Sequence, residues 1–125
     1  MRFMMIMIPN ISEDEWPSDP EAMAEMDEFV AMGKYNDELI KAGVLLAGEG
    51  LEPTAKGARV AFAGGKPSVT DGPFTEAKEL IGGYWLIQAR SREEAVEWAT
   101  RCPANDGDVI EVRQVFEMSD FDGAA

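Results

Sequence analysis

Two strand-length stretches of this chain have no polar face. In Arg2–Ile8, Phe3, Met5 and Met7 alternate with Met4, Ile6 and Ile8. In Leu80–Ala89, Tyr84, Leu86 and Gln88 alternate with Trp85, Ile87 and Ala89. A strand covered on one side only alternates apolar with polar residues, so stretches like these belong where both faces are shielded. Both are expected at the centre of a sheet. Val109–Met118 reads differently, with Ile110, Val112, Phe116 and Met118 pointing one way and Glu111, Arg113 and Glu117 the other. That alternation marks a half-exposed strand.

Helical signals separate the strands. Ser18 with Glu21 three positions on forms a capping box around Pro20, and opens a helix whose apolar stripe is Ala22, Met26, Phe29, Val30, Gly33 and Ile40. Gly43 stops it. A second capping box, Ser91 with Glu94, opens a helix that buries Ala95, Trp98, Ala99 and Cys102 and closes at Pro103. Val44–Leu51 is a strand weakened by Gly48 and Gly50, followed by a turn over Pro53–Gly57. Ala58–Ala63 and Pro67–Thr70 form a hairpin through Gly64-Gly65. In the acidic loop before the first helix, Trp16-Pro17 is the one large apolar anchor. Residues 1–119 read as a single domain, and 120–125 as an acidic tail expected to fray.

Two helices can cover one face of such a sheet, which leaves apolar residues of the central strands on the other. That face is expected to carry one alternating set from each central strand, such as Phe3, Met5 and Met7 with one set from Tyr84–Ala89. A second copy of the chain would supply the missing layer, so a homodimer is expected.

Charge and residue usage exclude several function classes. With 11 Lys and Arg against 24 Asp and Glu, the formal net charge is −13. Phosphate backbones are repelled, no basic cluster offsets this, and nucleic-acid binding is not expected. The apolar start is too short for a membrane span and lacks a signal peptide's positive flank, so neither membrane insertion nor export is expected. The single cysteine, Cys102, fits a reducing, cytoplasmic setting and reads as a small buried hydrophobe. The absence of histidine removes the usual general base, the commonest transition-metal ligand and any Ser-His or Cys-His pair. No cofactor or metal is expected, and no phosphate loop or dinucleotide fingerprint occurs.

The remaining chemistry concentrates in residues 70–85. Asp71-Gly72-Pro73 is turn chemistry, followed by charged Glu76, Lys78 and Glu79 and by the side-chain-free pair Gly82-Gly83. This resembles a pocket wall. Asp71 is the candidate general acid or base, or a ligand's hydrogen-bond acceptor; the competing reading is that it caps its own turn. Glu49, between two glycines, either borders the pocket or is an exposed strand carboxylate. Lys78 and Glu79 either form a solvated pair or orient Asp71. Tyr84 can offer a hydroxyl to a ligand or serve as a core aromatic. Arg59 can receive an anion.

Asp71-Gly72-Pro73-Phe74, continued by Glu76, Lys78, Glu79, Gly82, Gly83 and Tyr84, resembles the signature of YCII-related proteins of the DGPF type. Tyr35-Asn36, Glu38-Leu39, Lys41–Leu45, Gly48–Leu51, Ser91-Arg92, Glu94-Ala95 and Val109–Arg113 extend the resemblance over most of the chain. It implies an α+β, ferredoxin-like βαββαβ fold, here with an extra short hairpin, that pairs into a dimeric α+β barrel. The ferredoxin-like strand order 4-1-3-2 puts the two strands that lack a polar face in the middle. The activity is left open by the resemblance, and many members are encoded beside extracytoplasmic-function sigma factors. The His–Asp pair that some relatives use cannot form here. Three functions are therefore carried forward: a small-molecule-binding or regulatory module, a proton-transfer enzyme with Asp71 as base, and a sigma-factor adaptor.

Overall fold

The computed structural model describes residues 1–74 and 80–122. Its strands are β1 (Arg2–Ile8), β2 (Leu45–Gly50), β3 (Ala58–Ala63), β4 (Lys66–Asp71), β5 (Gly83–Gln88) and β6 (Val109–Gln114). Its helices are α1 (Pro20–Ala24), α2 (Asp27–Lys41) and α3 (Arg92–Thr100). Single 3-10 turns lie at Glu13–Glu15, Thr54–Lys56 and Met118–Phe121.

Four strands form an antiparallel sheet in the order β2-β5-β1-β6, and β3 and β4 form a separate two-stranded hairpin. The two strands without a polar face, β1 and β5, are central neighbours, as their patterning requires, and β6 lies at an edge, as the ferredoxin-like order implies. This mixed α+β arrangement is compatible with a ferredoxin-like fold.

The core lies between the sheet and the helices. Phe3, Met5, Leu39 and Ile87 are each at most 1% exposed, joined by Tyr35, Trp85, Ala89 and Ala95. Each large apolar side chain in this group stabilises the fold by about 1.5–3 kcal/mol. In the ladders Phe3 pairs with Ile87 and Met5 with Trp85, so these residues share the helix-covered face. The open face instead carries Met4, Ile6, Ile8 and Leu86, with Tyr84, Glu111 and Arg113. Alternation alone leaves both sets of β1 eligible for either face; the packing makes Phe3, Met5 and Met7 the helix-facing set.

The first helix differs from expectation in three ways. Its cap is Asp19, whose side chain accepts from the Glu21 N–H at 3.1 Å; Ser18 is not the cap. The helix breaks at Glu25 and restarts from Met26, which has extended ψ and makes no side-chain cap bond. The restart resets the helical phase, so α2 packs Met32, Tyr35 and Leu39 on the sheet and leaves Phe29, Val30 and Ile40 exposed. Its C-terminus matches a Schellman motif: Gly43, at φ 72°, donates to the Ile40 carbonyl and Val44 to the Leu39 carbonyl.

α3 starts as expected, with Ser91 Oγ accepting from the Glu94 N–H at 3.1 Å, although the Glu94 carboxylate goes to Arg90. β6 ends at Gln114, so Phe116 and Met118 do not continue its buried face and are 75% and 82% exposed. The start of the expected frayed tail is held. Glu117 N–H donates to the Asp120 carboxylate at 2.7 Å, and the Phe116 and Phe121 rings lie 5.3 Å apart.

Candidate functional site

Three glycines fall on the helix-covered face at one end of the sheet. Gly48 lies opposite Trp85 and Gly50 opposite Gly83, so all three share the side on which Trp85 is buried. A Cβ on Gly48 or Gly83 would press the Trp85 ring or the Glu49 carbonyl, but one on Gly50 would meet nothing within 4 Å, and there the sheet leaves a space. It appears as a cavity of about 250 Å³ between α2 and the β2–β5 ladder, lined by Met32, Asn36, Met7, Trp85 and the glycine floor. A neighbouring cavity of about 430 Å³ shares Met7, Gly50 and Gly82 with it. The second is walled by Trp16, Met23, Phe29, Pro9 and Leu51. Together they are in the size range of small-molecule sites.

The Trp16 loop closes one wall because Trp16 Nε1 donates to the Leu51 carbonyl at 3.2 Å, fixing a 9%-exposed indole against β2. Gly82 allows this approach: a Cβ there would lie 3.1 Å from Pro9 and 3.5 Å from the Trp16 ring. Asn36 projects from α2, and its Oδ1 accepts from Trp85 Nε1 at 2.8 Å. Trp85 in turn meets Tyr35 edge-on, with centroids 5.8 Å apart, and the Tyr35 hydroxyl donates to the Trp98 carbonyl at 2.7 Å. Burial drives the Tyr35 phenol far above its usual range.

Of the residues singled out from sequence, Gly82, Gly83, Glu49 and Tyr84 line the smaller cavity. Strand alternation places the Glu49 and Tyr84 side chains on the opposite, open face. There the Tyr84 hydroxyl donates to Glu49 Oε2 at 3.1 Å, which raises the tyrosine's pKa. Asp71 lies elsewhere. It is the exposed last residue of β4, pairs with Ala58, and lines neither cavity. Its turn docks on the Thr54–Lys56 turn instead: Gly72 N–H donates to the Gly57 carbonyl and Phe74 N–H to Thr54 Oγ1. Arg59 stacks over the Phe74 ring at 4.1 Å, so its cation serves that junction. Lys78 and Glu79 lie outside the described residues. Cys102 is half-buried, its thiol pushed up to about 11 mainly by burial, which suits a packing role.

The glycine floor joins a match along the chain. The YCII-related domain profile covers residues 1–119. The chain belongs to the YCII-related family. A relative in Rhizobium meliloti (strain 1021), described as an uncharacterized protein, is 32% identical over 84 residues. That alignment takes in 67% of this YCII-related chain and 64% of the relative, so the chain spans a little under two thirds of the relative's length.

Asn36, Met32, Trp16, Met23 and Leu51 were not singled out as site residues from sequence. The available signal was parity: Gly48 and Gly50 are two apart on one strand and must share a face. Among the described residues of this YCII-related protein, no cluster of three or more His, Cys, Asp or Glu could hold a metal. No helix among them is long and apolar enough to cross a membrane.

Proposed function

We propose that this protein is a small-molecule-binding or regulatory module whose ligand occupies the glycine-floored cavity beneath α2. The observation that carries this reading is the side-chain-free patch of Gly48, Gly50 and Gly83 that lines the cavity, with Gly50 opening directly on it: a Cβ there would meet nothing within 4 Å. The working unit is a homodimer that covers the open face of the sheet, in the manner of an α+β barrel. Support comes from the half-buried Met4, Ile6, Ile8 and Leu86 on that face, an apolar patch over which no helix packs among the described residues. Asp71–Phe74 supports placement in the DGPF branch of the family.

The proton-transfer reading with Asp71 as base loses ground, because that carboxylate lines neither cavity. A sigma-factor adaptor rests on the acidic surface alone, and co-purification with a sigma factor would be its mark.

A thermal-shift screen of small neutral aromatic compounds tests the binding reading, with Gly50→Val as the comparison. A Cβ at Gly50 would meet nothing within 4 Å, so the valine enters empty space. At a ligand concentration near 100 Kd, wild type should gain about 2.7 kcal/mol of stability. The variant should gain little. A screen with no stabilising compound, or equal stabilisation of Gly50→Val, would contradict the reading.

A further inference from the structure

We infer that Asn36 is the polar anchor of the glycine-floored cavity, and that the ligand is a flat, uncharged molecule bearing an acceptor oxygen, of the aryl ketone, aldehyde or ester class. This rests on the ligand-binding reading above and adds the chemistry of the occupant.

The orientation of the Asn36 amide follows from its partner. An indole N–H can only donate, so the atom facing Trp85 Nε1 at 2.8 Å must be the amide oxygen. The amide nitrogen then carries two N–H donors that have no partner among the described residues. Trp85 is itself fixed, 6% exposed and set edge-on against Tyr35, whose hydroxyl is tied to α3. The donor is therefore held in place before any ligand arrives, which lowers the cost of binding.

The surroundings narrow the class. Met7 and Met32 offer polarizable thioethers beside Trp85, a favourable setting for an aromatic ring. Among the described residues no lysine or arginine lines either cavity; of the two acidic residues at their edges, Glu49 turns its carboxylate to the open face and Glu52 is paired with Lys56 at 2.9 Å. A carboxylate or phosphate entering would lose its hydration with no cation among the described lining residues to receive it, on a chain of net charge −13. A cation would face N–H donors. A carbonyl oxygen accepts from Asn36 and leaves an apolar body for the wall of Trp16, Met23 and Phe29.

The test uses a matched pair of probes, 2-acetylnaphthalene and 2-ethylnaphthalene, titrated into the full chain. Asn36→Asp keeps an acceptor for Trp85 and removes the donor. The ketone should bind wild type roughly fivefold more tightly than the hydrocarbon, the worth of one net hydrogen bond. Its binding should shift the Asn36 side-chain N–H₂ resonances, and Asn36→Asp should erase the preference while still binding the hydrocarbon. Equal affinities in wild type, or side-chain amide resonances that stay put on ketone binding, would overturn the role of Asn36 and leave the cavity reading standing. Failure of both probes to bind wild type would overturn the cavity reading itself. The amide resonances are read in wild type, so the proposal stays testable even if Asn36→Asp folds poorly.

Discussion

Gly50 and Gly83 face each other across the β2–β5 ladder, yet a side chain would meet different surroundings at each. A Cβ on Gly50 would meet nothing within 4 Å, whereas one on Gly83 would lie 2.8 Å from the Glu49 carbonyl oxygen. One position opens on the cavity and the other on its neighbour's backbone. Gly50→Val should therefore be neutral or stabilising by up to about 1 kcal/mol, because a strand glycine carries an entropic penalty. Gly83→Ala should cost about 1–3 kcal/mol, since backbone must move. Urea unfolding of both variants checks this, and the reverse order would contradict the described packing.

The Asp71 turn should prove structural. A Cβ on Gly72 would overlap the Thr54 carbonyl, so Gly72→Ala should destabilise by roughly 2 kcal/mol or more by prying apart the two turns. Asp71→Asn, at an exposed position lining neither cavity, should leave small-molecule affinity unchanged within twofold or so. Calorimetric titration of the two variants separates the roles. A tenfold loss of affinity in Asp71→Asn alone would return that carboxylate to the site.

Acid should weaken the clasp between the start of β1 and the segment after β6. Arg2 donates to the Glu117 carboxylate at 2.7 and 3.1 Å, and these bonds hold the Glu117 pKa below its ordinary value of 4.5. A folded-state pKa below the unfolded one means the unfolded chain binds the proton more readily. The stabilisation is therefore full above the unfolded pKa and is lost as pH falls through the folded one. Melting temperatures of wild type and Glu117→Gln should differ at pH 7 and converge as pH falls below about 4. A constant gap across that range would show that the pair contributes nothing through ionisation.

The open face predicts assembly. Sedimentation equilibrium at micromolar concentration should give twice the chain mass of 13.7 kDa. Leu86→Asp, which puts a charge in the middle of the apolar patch, should shift the protein to monomer or to aggregates. A well-behaved wild-type monomer would remove the second layer from the account.

The sheet was legible in the sequence because its centre is written twice, once in Arg2–Ile8 and once in Leu80–Ala89, each apolar on both faces. Which face met the helices was not legible, since both sets of β1 are apolar and only the packing against Leu39 and Tyr35 separates them. The helical stripe was misread because the break at Glu25–Met26 resets the phase, and Met26 makes no cap bond to announce it. The glycines near the site were visible, but Gly82-Gly83 was joined to Asp71 by sequence proximity. The structure joins Gly83 instead to Gly48 and Gly50, through a ladder that one sequence does not display.

The most direct test of the central claim is a two-dimensional ¹⁵N–¹H titration of wild type with 2-acetylnaphthalene. The account predicts that perturbed amides cluster on Gly48, Gly50, Gly82, Gly83 and Asn36, with the β3–β4 hairpin and Asp71 unmoved. Saturating probe that perturbs no amide, or perturbs those around Asp71 and spares the glycines, would contradict it.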